Sequence, residues 1–441
     1  MEMYRIPVTV AYRPSKHHQQ RMSTKHFSPL QDLTAFSQKY GLAFVMVASY
    51  FGSGSVFIAS QAGVMHGYTL LWAVVGAAFL GFIAQDMSAR LGIHGESLMV
   101  FTREKLGRPL ATTIAVFLSI GCIAWTLGLV AAVGAGISFL LGGAVAWQPI
   151  AVLTTFAAIG VGLLHYDTVE NVMIGMMFSL MVIYVIVALP SGADPSSVAT
   201  GFVPGTDTLG ALAMAAGLLG TTALWPNFFL ESILVHTKGW TSESDLSKAR
   251  TDLAIGYAVG GITTIVILIA AAALLRPMGF TELESFITPG EAMVEVLGTW
   301  AMVLFIGGVI AAAFNSIIPI MWTPAYIIPQ AAGYTVQKGD RLFNVLFAAL
   351  TGIGIFSPLV SWWLDLSVVD MVILFPMYNG IFALPVAATL LLWAVNDREM
   401  MGEYCNTSAL NAVNALLVIL AVILAALSIQ DFIELITGGG F

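Results

Sequence analysis

Two apolar stretches of this 441-residue chain are interrupted near their middles by small and polar residues. One break reads Gly52-Ser53-Gly54-Ser55; the other reads Gly220-Thr221-Thr222 followed by Trp225-Pro226-Asn227. Their chemistry is oxygen ligation. The glycines tolerate unwound backbone, the Ser and Thr hydroxyls donate or accept, and Pro226 lacks the N–H that the carbonyl one turn earlier would receive. In hydrocarbon, backbone leaves the helical ladder only where a cavity or a bound solute satisfies it. Ser53, Ser55 and Asn227 are the expected ligands of a metal cation, with Gly52, Gly54, Thr221, Thr222 and Trp225 around them. Glu231, four residues after Asn227 on the same helical face, supplies a negative field, and Asn379 beside Gly380 faces the same site.

The elements that must position these residues are membrane spans. The chain is 58% hydrophobic and 10% charged, which excludes an ordinary soluble domain. Stretches of about 20 apolar residues, each able to cross roughly 30 Å of hydrocarbon, recur from residue 41 onward. We read eleven: 41–64, 69–90, 110–141, 147–164, 168–189, 209–236, 252–275, 299–332, 342–363, 367–395 and 409–430. Of the 17 Lys and Arg residues, all but Arg276 fall in the N-terminal tail or in loops on the tail's side. Basic residues stay on the cytoplasmic face, so the N-terminus is expected inside and, after an odd number of spans, the C-terminus outside. The chain divides into a cytoplasmic tail, 1–40, and a single transmembrane domain, 41–441. Its expected location is the plasma (inner) membrane.

The net charge of −8 gives no sign of nucleic-acid binding, and Cys122 and Cys405 form no disulfide framework. His17 and His18 read as solvated tail residues. The sequon at Asn406 falls on the cytoplasmic side and is set aside. No cofactor is implied, and no enzymatic constellation is present.

If spans 1–5 and 6–10 form two halves, the first span of each half carries the interruption and span 11 is peripheral. That is the pattern of an inverted repeat built for alternating access around a midplane site. Other polar residues read more simply. Asp86 and Arg90, four apart, form an intrahelical ion pair; Asp167 and Glu170 open span 5; Asp370 lines an outer vestibule. Asn315-Ser316 tie helices together, Trp125 and Thr126 pack, and Met173, Met176, Met177 and Met181 form a packed helix face.

The stretch 49–91 resembles the Nramp family of divalent-metal transporters. The motifs are Ala62-Gly63, Gly67-Tyr68 and Leu70-Leu71-Trp72 after the first break, and the Met-x-Ala-Arg-Leu-Gly pattern at 87–92. Gly134, Lys238-Gly239 and the segment 396–402 extend the likeness. The resemblance implies a LeuT-like all-α fold, a 5+5 inverted repeat plus one extra helix, with eleven transmembrane helices and discontinuous helices 1 and 6. It also shows what has changed. The family's first break is Asp-Pro-Gly-Asn, whose Asp and Asn bind metal, where this chain has Gly52, Ser53, Gly54 and Ser55. The family's second break is Met-Pro-His, and its soft sulfur ligand falls on Trp225 or Leu224, according to register. The two acidic residues that serve the family's proton route in span 3 fall on Gly128 and Ala131, and of its basic pair only Arg341 has a match.

The expected function is a secondary transporter of a small inorganic ion. A partly hydrated divalent cation of the Mg²⁺ or Mn²⁺ kind fits a site of hydroxyls and carbonyls, carried without the family's proton coupling. An anion or neutral-solute carrier on the same frame, or a non-transporting membrane sensor, are the alternatives. The partners are the ion and the lipid bilayer, with no nucleic acid.

Overall fold

The computed structural model describes residues 39–205, 209–285 and 287–436, so the expected tail lies outside the described residues except for Lys39 and Tyr40. All regular elements among the described residues are helical. Apolar stretches in hydrocarbon must satisfy their own backbone, and a helix does so within one segment. The helices that position the site are α1 (Leu42–Tyr50), α2 (Ser53–His66), α3 (Leu71–His94), α4 (Leu98–Leu140), α5 (Trp147–Gly162), α6 (Tyr166–Ala188), α7 (Leu209–Thr222), α8 (Trp225–Thr237), α9 (Glu243–Leu274), α10 (Thr299–Ala332), α11 (Arg341–Gly352), α12 (Val368–Tyr378), α13 (Leu384–Ala394) and α14 (Ser408–Ile436).

Among the described residues nine helices are long and apolar enough to cross a membrane, ten when the bent pair α1 and α2 counts as one span. The segment expected as span 4 forms α5, which has 16 residues and at 1.5 Å per residue is about 24 Å long. Length and composition therefore stop short of the expected eleven. Large apolar side chains cover the outside: Leu153, Leu189 and Trp362 are each at least two-thirds exposed, as a lipid-facing surface allows.

The two interrupted spans lie side by side. α1 and α2 meet at 62°, α1 packs on α8, and α2 packs on α7. The half before the first break thus meets the half after the second, so the spans run antiparallel, as an inverted repeat requires. α4 and α10, the third spans of the two halves, share the largest helix-helix contact among the described residues.

Small residues let α1 seat. A Cβ at Gly256 of α9 would lie 2.7 Å from Ala43 Cβ, and one at Gly260 would collide with the Tyr50 hydroxyl and approach Val47 Cγ1 to 3.0 Å. This small-xxx-small spacing is how membrane helices approach closely when lipid removes the hydrophobic drive between them.

Four polar residues differ from expectation. Asp86 is held by Arg250 of α9, Nε to Oδ1 at 2.6 Å and Nη2 to Oδ2 at 3.3 Å. Arg90 instead donates to the Tyr404 carbonyl at 3.2 Å and to Asn406. A two-point guanidinium–carboxylate contact outweighs a helix-surface i,i+4 pair. Asp370 closes a capping box with Ser367 at the start of α12 instead of lining a vestibule. Glu170 does more than open a helix: it is paired with Lys238 at 3.1 Å and accepts from the Tyr166 hydroxyl at 3.2 Å. Met173 and Met177 are buried in the core, consistent with a packing role.

Candidate functional site

At the first break, helical backbone ends at Tyr50 and resumes at Ser53, with Gly52 extended at φ −106°, ψ −172°. The Ser55 hydroxyl turns back to donate to the Tyr50 carbonyl. Ser316 of α10 donates to the Ala48 carbonyl at 2.7 Å, and its Oγ would lie 2.9 Å from a Cβ at Gly52. The absence of a side chain at 52 therefore makes room for a hydroxyl from another span. Ser53 Oγ is buried without a hydrogen-bond partner.

At the second break, the Ala223 N–H still reaches the Leu219 carbonyl at 2.8 Å, but Leu224 leaves the helix at φ −77°, ψ 122°. Pro226 offers no N–H to the Thr222 carbonyl, and the Asn227 N–H goes to the Leu224 carbonyl at 3.1 Å. The Thr221 and Thr222 hydroxyls donate to the Leu218 carbonyl at 3.1 and 2.8 Å.

The side chains after the break are committed to neighbouring spans. Asn227 Oδ1 is bonded to the Ser49 hydroxyl, and its Nδ2 donates to the Met46 carbonyl at 3.0 Å. This carboxamide joins the start of α8 to the end of α1. Trp225 Nε1 donates to Asn379 Oδ1 at 2.8 Å, and Asn379 Nδ2 donates to the carbonyls of Phe375 at 2.9 Å and Gly121 at 3.1 Å. Asn379 opens a π-helical segment, 379–383, that follows Pro376, so span 10 is also locally irregular beside the breaks.

Between these irregular segments lies a cavity of about 160 Å³. Four of the residues expected at the site, Gly54, Thr221, Trp225 and Asn379, line it, together with Trp125 and Met377, and no ionisable residue does. Gly52, Ser53, Ser55, Thr222, Asn227 and Glu231 are not on its wall. Sequence reasoning treated Trp125 as packing and Ser316 as a tie between helices, which its bond to the Ala48 carbonyl makes it, and passed over Met377 and Ser49. Ser49 carried one signal, a hydroxyl residue placed mid-span beside a break.

α1 is also held at its start. Asp252 of α9 accepts the Ala43 N–H at 2.8 Å, a carboxylate at a helix N-terminus, where the dipole favours negative charge. The carboxyl of Glu170 packs against Gly41, its carbon 2.5 Å from where a Cβ would be. Glu231, one turn beyond Asn227, is fully buried with neither oxygen bonded.

Known proteins share this architecture. The structure is similar to that of the Eremococcus coleocola manganese transporter, solved with an aromatic bis-isothiourea compound, at TM-score 0.78 and 18% identity over 95% of this chain and 91% of the other. The fold is accordingly LeuT-like. In sequence the chain is 27% identical over 389 residues to the "Divalent metal cation transporter MntH" of Aeromonas hydrophila, covering 87% of this chain and 93% of that protein. It is 26% identical over 390 residues to the protein of the same name in Pectobacterium carotovorum, covering 87% and 91%. The family described as "Natural resistance-associated macrophage protein-like" matches residues 43–431, a span that takes in both breaks, the cavity and the helices around them. The chain belongs to the Nramp family.

Proposed function

We propose that this protein is an integral membrane transporter that carries a divalent metal cation by alternating access, taking it partly hydrated and of the hard Mg²⁺ or Mn²⁺ type. The observation that supports this most is the cavity between two antiparallel broken spans, whose mainly apolar wall carries the Thr221 and Asn379 side chains and no carboxylate. Its 160 Å³ has room for about five waters at roughly 30 Å³ each, so an ion there keeps much of its hydration. The MntH relatives are named as divalent metal cation transporters. The ligands we assign are Thr221 and Asn379 on the wall, the carbonyls around Thr222, and Ser53 Oγ, which lies off the wall in this conformation but lacks a partner. Ser55 Oγ and Asn227 Oδ1 each keep a lone pair while bonded to the Tyr50 carbonyl and Ser49, and they join when the break turns them toward the cavity.

Gly128 and Ala131 of α4 offer no group that could carry a proton past the cavity, so we assign no proton coupling along that helix. The orientation we assign places the tail 1–40 in the cytoplasm and the C-terminus outside, in the plasma membrane, with 41–441 acting as one transport unit. No step of enzymatic catalysis is assigned.

Flux into proteoliposomes tests this reading. Mn²⁺ and Mg²⁺ should enter and compete with one another, without acidification that tracks uptake. Anion flux indifferent to divalent ions would overturn it, and uptake matched by internal acidification would overturn the uncoupled mechanism.

A further inference from the structure

One turn past Asn227 on α8, away from the cavity wall, lies a second group of polar side chains with nothing to bind. Glu231 is 0% exposed and both its carboxylate oxygens lack a hydrogen-bond partner. Within its electrostatic reach stands Asp252 of α9, equally buried, with Oδ2 on the Ala43 N–H and Oδ1 unpartnered. Gln85 of α3 is also 0% exposed, and neither end of its carboxamide is bonded. It is a polar neighbour of the Tyr257 hydroxyl, in a contact short of a full hydrogen bond, and that hydroxyl lies within the electrostatic reach of Glu231. The Tyr257 ring stacks on Tyr50 at 5.6 Å, fixing where that hydroxyl points.

The charges around this group are already taken. Arg250 is bound to Asp86 at 2.6 Å and Lys238 to Glu170 at 3.1 Å. Lys238 also lies within the electrostatic reach of Asp252 but is paired with Glu170, so neither Glu231 nor Asp252 forms an ion pair of its own, in surroundings where an uncompensated charge is expensive and marks an ion pathway. Their combined charge is the complement of one divalent cation. Every unpartnered atom here is oxygen except the Gln85 nitrogen, with no sulfur and no imidazole, which selects a hard cation. Mg²⁺-like ions are held by one or two carboxylates and keep several waters, for which the Gln85 and Tyr257 oxygens are suitable partners.

We propose that Glu231 and Asp252, assisted by Gln85 and Tyr257, form a second binding station for a divalent cation, separate from the cavity at the breaks. It rests on the divalent-cation reading above and extends it from one site to two in series. Because Asp252 also anchors the first turn of α1, an ion at its free oxygen sits on the residue that holds this half-helix in place.

The test is Mn²⁺ binding to the purified full-length protein, followed by the electron paramagnetic resonance signal of the free ion. The wild-type chain should show two classes of site. Glu231→Gln, isosteric and uncharged, should weaken one class at least tenfold, and Glu231→Asp should return it to within about threefold. Gly54→Val, which narrows the cavity at the first break, should leave the Glu231-dependent class intact. Mn²⁺ binding that is the same in wild type and Glu231→Gln overturns the proposal. So does a Glu231→Gln variant that keeps its Mn²⁺ sites and loses only a proton taken up or released. Normal divalent flux with binding indifferent to Glu231 sinks this station alone. Glu231-dependent binding without any divalent flux sinks the transport reading alone.

Discussion

Asn227 separates two roles that a polar residue at a broken helix can have. Its carboxamide is bonded at both ends to α1, through Ser49 and the Met46 carbonyl. A buried hydrogen bond contributes about 1 kcal/mol net, so Asn227→Ala should cost roughly 2 kcal/mol and lower the melting temperature of the metal-free protein. Loss of Mn²⁺ affinity with an unchanged metal-free melting temperature would make Asn227 a ligand and not a tie. The residue types at the breaks were legible in the sequence, because Gly, Ser, Thr and Pro suit unwound backbone there. Their partners were not. Asp86 and Arg90 have the spacing of an ion pair, yet the partner Asp86 takes, Arg250, is 164 residues away. Helical spacing places two residues near one another and says nothing of a better donor on the facing helix. Asp252 went unremarked for the same reason: as a charge at the end of a span it has an ordinary reading until α1 is brought against it.

Among the elements, the packing of α1 on α9 is the most exposed to small changes. Gly256 and Gly260 leave room for Ala43, Val47 and Tyr50. Gly260→Val should force α1 outward, with an overpacking cost of about 1–3 kcal/mol read in thermal unfolding. Adding Tyr50→Phe removes the hydroxyl that the new side chain meets first and should recover part of the loss; a double variant no more stable than the single one would place the clash elsewhere. The breaks themselves could be found from composition. The 62° turn at the first and the π-helical irregularity of span 10 could not, since both depend on which face each segment turns toward the cavity.

At the scale of the whole molecule, the chain keeps a family fold at 18% identity to a solved relative while its breaks carry none of the family's metal-binding side chains. Fold survives such divergence because it needs only apolar spans, small residues at close crossings and a few helix ties. Selectivity needs particular atoms. The lopsided Lys and Arg distribution gives an orientation that single cysteines can check. After replacement of Cys122 and Cys405, Ser196→Cys should react with an impermeant maleimide from outside the cell, and Thr241→Cys only after the membrane is opened. The reverse pattern would invert the assigned topology. Span number was hard to read, because α5 is apolar enough for a span but shorter than one.

The bonds from Asn227 to Ser49 and Met46 also constrain how such a molecule can move. They rivet the half-helix before one break to the half-helix after the other, while Gly52 and Leu224 leave each free to swing from its own outer half. Two panels joined in this way behave as one leaf on a double hinge. Either both turn together when the cavity empties, or the rivet must break first.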